Sequence, residues 1–290
     1  MLEISKKRIA GVLLAVFVIC VLGFGSVVVA GDPVKVAVSI VPQATFVEAV
    51  AGKYADVVIL VPPGRSPGNY EPTPREMQDL SDALVYFSIG VPTEAANILA
   101  RLDSFNPSLS VVSLADAAAE VYPDREIAPG RRDPHVWLSP RRVMVMVETI
   151  ADSLAELDPD RVATYRENAQ HFIEELEALD VELDSILSQL TARKFIVYHP
   201  AFGYFADDYG LEMVALEQGG KEATPQVLQA AVDLAKEEGI QVIFYQKEID
   251  SRQSRTFAEE IGGQAIQLAP LAPDYLDNLR RIASVFRDVL

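Results

Sequence analysis

Cysteine is all but absent: Cys20 is the only one among 290 residues, and it lies inside an apolar run near the start of the chain. The rest of the protein therefore has no disulfide and no thiolate, and any metal site in it must be built from nitrogen and oxygen donors. Histidine is scarce as well. His135, His171 and His199 are the whole complement, which excludes a histidine-rich tract and makes each of them a residue to account for. Basic residues are outnumbered, 25 against 42 acidic ones, for a formal net charge of −17. A surface of that sign repels nucleic acid and can concentrate cations. The chain contains no phosphate-binding loop and no His-Glu-x-x-His helix, so phosphate-loop nucleotide chemistry and helix-borne zinc hydrolysis lack their carriers. It also contains no low-complexity tract.

What is present is enough apolar residue for a large core: 50% of the chain is hydrophobic, which excludes a disordered protein and suits one large or two modest domains. Lys6, Lys7 and Arg8 precede a nearly unbroken apolar run from Ile9 to Val29 that ends at Ala30-Gly31-Asp32. That order of basic, apolar and small residues is an export signal. A peptide cleaved after Ala30 and an uncleaved membrane anchor both fit, since the run is about as long as a membrane span. Val18-Ile19 before Cys20 lack the small residues that precede a lipidated cysteine, so Cys20 reads as one more apolar side chain. Removal of the segment would take the net charge to about −19.

Beyond Gly31, short β-branched runs alternate with helical patterns, the signature of βα units around parallel sheets. Strands are predicted at 34–40, 57–61, 84–88 and 110–114, and again at 194–198, 212–216, 242–245 and 264–268. Between the two sets, Ser139-Pro140 and Asp158-Pro159 are helix-start signals. After Pro159, apolar residues from Val162 to Leu190 recur near a 3.6-residue period with no glycine or proline. The expected fold class is α/β: two lobes, each a four-stranded parallel sheet flanked by helices, joined by one long rigid helix. The expected boundaries are 1–30 for the export signal or anchor, 31–138 for the N-terminal lobe, 139–192 for the helical linker with its spine, and 193–290 for the C-terminal lobe. Asp124–Arg132, with Pro129-Gly130 and three arginines, reads as an exposed loop.

Ligands of parallel α/β sheets gather beyond the carboxyl ends of the strands, and three segments there stand out. Pro62–Pro74 carries five prolines and two glycines, a rigid loop that ends at a helix start near Thr73-Pro74. Asp133-Pro134-His135-Val136-Trp137-Leu138-Ser139-Pro140 sets His135 beside the only tryptophan and before a helix cap. In Tyr198-His199-Pro200-Ala201-Phe202-Gly203-Tyr204-Phe205, His199 closes a strand and Pro200 opens a helix. A neutral imidazole at such a junction is a nitrogen donor suited to zinc or manganese. Taken alone, a strand-end histidine is more often a hydrogen-bonded structural residue. His171, among Glu167, Glu174 and Glu175, reads as an exposed helix residue.

In combination, Val61-Pro62-Pro63-Gly64, Ser66-Pro67, Tyr70-Glu71-Pro72-Thr73-Pro74 and the two histidine segments resemble the metal-binding substrate-binding proteins of zinc and manganese ABC importers, the cluster A-I type. The resemblance runs from about Val34 to the C-terminus. It implies an extracytoplasmic, monomeric carrier with no catalytic role that delivers a divalent transition metal, zinc or manganese, to a membrane permease served by a cytoplasmic ATPase. It also implies four metal ligands, of which the second and third fall on His135 and His199. The first falls on Gly68 and the fourth on Ala269, so neither of those positions supplies a ligand. Asn69, Glu71, Glu217 and Gln246 are the candidate substitutes. Two rivals belong to other classes: a degenerate member that no longer binds metal conventionally and serves as a surface interaction or scaffold protein, and a hydrolase using His135 and His199 as acid and base.

Overall fold

Three dipeptides, Thr73-Pro74, Ser139-Pro140 and Thr224-Pro225, each start a helix. In every case the hydroxyl accepts a hydrogen bond from the third helical N–H, and proline fills the first helical position, where its missing N–H costs nothing. Around these starts, the computed structural model describes residues 32–102, 106–217, 219–249 and 252–290. The export segment and the anchor alternative lie outside the described residues. Among those described, no helix is long and apolar enough to cross a membrane.

The first lobe runs β1 (Val34–Val38), α1 (Val41–Ala51), β2 (Ala55–Ile59), α2 (Pro74–Ser81), β3 (Val85–Ser88), β4 (Ser110–Ser113) and α3 (Leu114–Val121). Its sheet has the order β2-β1-β3-β4, all parallel. A small antiparallel hairpin follows, β5 (Glu126–Ala128) and β6 (Arg131–Arg132), in the segment expected to be loop. Pro129-Gly130 supplies its turn, with Gly130 at φ 70°, a conformation glycine adopts without steric cost.

Two helices follow, α4 (Pro140–Leu157) and α5 (Val162–Leu187), joined by a tight turn at Pro159–Arg161. The C-terminal lobe comprises β7 (Lys194–Val197), α6 (Gly203–Asp208), β8 (Glu212–Ala215), α7 (Pro225–Glu238), β9 (Val242–Gln246), α8 (Arg252–Glu260), β10 (Gln264–Leu268) and α9 (Tyr275–Val289). Its sheet is again four parallel strands, β10-β9-β7-β8. The fold class expected from the sequence is the one observed.

The long helix α5 has 26 residues, about 39 Å at 1.5 Å per residue. Tyr165, Ala169, Phe172, Ile173, Leu176, Leu179, Leu183 and Leu187 form its buried stripe. Each large apolar side chain so buried stabilises the fold by about 1.5–3 kcal/mol. The stripe belongs to a single apolar core that also contains Val36 and Phe87 of the first lobe and Phe195, Phe244 and Phe286 of the second. The spine is thus packed into both lobes, which limits hinge motion between them. His171 is exposed on this helix, as its acidic neighbours suggested.

A candidate metal centre between the lobes

Asp133 is fully buried, and its Oδ1 accepts from the His135 backbone N–H at 3.0 Å and contacts His135 Nδ1 at 2.7 Å. An ionised carboxylate only accepts, so Nδ1 carries the proton and the His135 lone pair is at Nε2. Across the cleft, Glu217 Oε2 lies 2.9 Å from His199 Nδ1 and fixes that ring in the same way. Both lone pairs are thereby directed at one place: the two Nε2 atoms are 3.1 Å apart, with the rings tilted at 78°. Two nitrogens bound to one tetrahedral zinc at about 2.0–2.1 Å are separated by about 3.3 Å, so this spacing is that of two ligands of a single ion.

Backbone pattern explains the second half of the site. The β7–β8 register pairs Val197 with Ala215, and the β7–β9 register pairs Val197 with Phe244. Continued by two residues, these place His199 between Glu217 on one side and Gln246 on the other. Alternation along a strand puts all three on one face of the sheet. Gln246 is 7% exposed, and its Nε2 is buried without a hydrogen-bond partner.

The first half is held by contacts that join the lobes. Trp137 donates from Nε1 to the Pro270 carbonyl at 2.9 Å, and Tyr275 donates its hydroxyl to the Trp137 carbonyl at 2.8 Å. The Ala269 carbonyl accepts from Asn278 Nδ2 at 2.8 Å, so the loop carrying Ala269 is tied to both α9 and the His135 segment. Arg125, at the foot of the hairpin, lies 3.4 Å from Asp133 Oδ2 and forms two 2.7 Å bonds to Asp207 of the second lobe. Its charge offsets the buried carboxylate that orients His135. Burial pushes the His135 imidazole below its ordinary 6.5, against the raising effect of Asp133, which keeps it neutral and able to donate its lone pair.

Of the residues singled out in the sequence, the fold brings His135, His199 and Glu217 into contact, and strand register places Gln246 on the neighbouring strand β9. Glu217 arrives as the partner of His199 Nδ1, so its role is orienting. Asn69 is exposed, and the Glu71 carboxylate faces Arg101 at 4.0 Å. Gly68 is exposed, and a Cβ built there would meet Ser66 Oγ at 3.4 Å and nothing nearer. Among the described residues, no group of three or more His, Cys, Asp or Glu side chains is arranged to hold an ion. Sequence reasoning missed Asp133, although its place two residues before His135 was a legible signal, and Arg125, which has none because the hairpin brings it there.

Two α/β lobes on a rigid helix, with a pair of oriented imidazoles at their junction, define a cleft protein with nitrogen donors at its centre. The chain belongs to the ZnuA family, described as zinc-uptake complex component A, periplasmic, whose model matches residues 36–289. This is a metal-uptake family rather than a family of enzymes. The chain is 30% identical over 265 residues to the zinc-binding protein AdcA of Streptococcus pyogenes serotype M1, covering 84% of this chain and 52% of that protein. It spans about half the length of the curated relatives it matches. A crystal structure of ZnuA superposes with a TM-score of 0.84 at 37% identity, covering 89% of this chain and 99% of that one. A ZnuA deletion mutant with zinc bound superposes at 0.82 and 38% identity, covering 89% and 98%.

Proposed function

We propose that the protein is an extracytoplasmic solute-binding protein that holds a divalent transition metal, zinc or manganese, between His135 and His199. It passes the ion to the membrane permease of an ABC importer. The 3.1 Å approach of two Nε2 atoms, each backed by a carboxylate on Nδ1, carries this reading. The names of the zinc-binding relatives support the cargo, and the family's description supports a place outside the cytoplasm. Residues 1–30 would direct export, with 31–138 and 193–290 forming the lobes and 139–192 the linker. Because α5 is packed into both lobes, loading and release would proceed by small shifts of the second lobe.

Calorimetric titration of the purified, metal-free protein with zinc and with manganese tests the reading. Binding of one equivalent that disappears in His135→Ala is the expected result; no heat with either metal would defeat it. Glu217→Gln, which keeps an acceptor near His199 but removes its charge, should weaken zinc binding about 10–100-fold. An unchanged affinity would show that Glu217 does not orient the ligand.

The second reading is a family member that has given up conventional metal binding and serves as a surface interaction protein. Gly68 and Ala269 at two ligand positions favour it. The same titration separates the two.

A further inference from the structure

Two imidazoles are half of a tetrahedral set, and the remaining half is where this chain departs from an ordinary site. Gly68 has no side chain, Ala269 has no side-chain donor, and the Ala269 carbonyl is already engaged by Asn278. Charge is short as well. Arg125 offsets Asp133, which leaves Glu217 as the one carboxylate next to the pair without a guanidinium or ammonium partner among the described residues, against the two positive charges of the ion.

One buried donor beside the histidine pair has nothing to donate to. Gln246, which lies two residues beyond Phe244 as His199 lies two beyond Val197, has a buried Nε2 with no partner, and a buried donor left unmet is destabilising. Arg131, at the tip of the hairpin, lies against Gly219, its Nη2 3.5 Å from where a Cβ there would be. That is two residues beyond Glu217.

We infer that the cargo is a metal ion already carrying a small chelating carboxylate. His135 and His199 take two positions on the ion and the chelator fills the positions that Gly68 and Ala269 leave open. The inference rests on the metal-binding reading above and names the form in which the ion arrives. Gln246 Nε2 donates to a carboxylate oxygen of the chelator, and Arg131 supplies a cation at the rim. Chelator and ion bind together because each satisfies what the other lacks: the ion needs donors and negative charge, and the pocket needs an acceptor for its buried amide.

Equilibrium dialysis of the full chain in a weakly coordinating buffer, against zinc alone and against zinc with one equivalent of citrate, decides the matter when both zinc and citrate are measured on the protein side. The expected result is retention of zinc and citrate in equal amounts, with zinc held at least about tenfold more tightly when citrate is present. Gln246→Ala should lower citrate retention, and Gly68→His with Ala269→Asp should retain zinc without citrate. If the native protein holds zinc alone and citrate strips it away, the inference fails while the metal-binding reading stands. If zinc is retained in neither arm, both fail. Thermal melts of the variants show whether a lost signal reflects a lost fold.

Discussion

Gly68→His combined with Ala269→Asp should raise the affinity for zinc alone by two orders of magnitude or more. Outer-shell partners of a metal ligand are typically worth about 10–100-fold each, and direct donors are worth at least as much. The space exists: the nearest atom to a Cβ at Gly68 is Ser66 Oγ at 3.4 Å, so an imidazole can be carried there without displacing backbone. The Ala269 backbone is held by its bond to Asn278 and its loop by the Trp137 bond to Pro270, so a carboxylate added at Ala269 starts from a fixed anchor. It also brings the negative charge that the pair lacks. Calorimetry on native protein, the double replacement and His135→Ala reads the effect. Nanomolar binding by the native protein with no gain from the replacements would mean that other residues already complete the site.

A second large effect is expected in stability rather than binding. Arg142 of α4 and Asp208 of α6 form a 2.8 Å ion pair in which both side chains are 8% exposed. Arg142 also bonds Ser139 Oγ and the Pro123 carbonyl and stacks over the Tyr204 ring at 4.6 Å, while Ser139 donates to Asp208. This cluster joins the linker helix to the second lobe. Asp208→Ala strands a buried guanidinium and should cost about 3–5 kcal/mol, read as a large fall in the midpoint of urea or thermal unfolding. A loss below about 1 kcal/mol, the value of an exposed pair, would show that water screens the cluster.

The same residues show how far the sequence could be read. The alternating strand and helix pattern disclosed both sheets, and the 3.6-residue stripe from Val162 to Leu187 disclosed the spine, because each element buries a face with its own period. Strand ends were less legible: β1 stops at Val38 rather than Ile40, since the Gln43 side chain takes the N–H groups of Ser39 and Ile40 at 3.0 and 3.1 Å. The hairpin at 126–132 passed for a loop because two-residue strands carry no periodicity. His135 and His199 were found as candidates from their places beside strand ends and helix starts, and Glu217 and Gln246 as substitutes from theirs.

Local chemistry alone therefore determined which elements form and which donor types exist: no thiolate, three imidazoles, and glycine and alanine at two of the ligand positions. Only the tertiary structure decided how they meet. That two histidines 64 residues apart in the chain bring their Nε2 atoms to 3.1 Å depends on parallel register across β8, β7 and β9 and on two lobes fixed to one helix. That Glu217 serves His199 at Nδ1, and that Arg125 reaches Asp133, are matters of direction and distance. Spacing along a chain does not carry these, because a side chain's partner is set by which strand lies beside it and which face it shares.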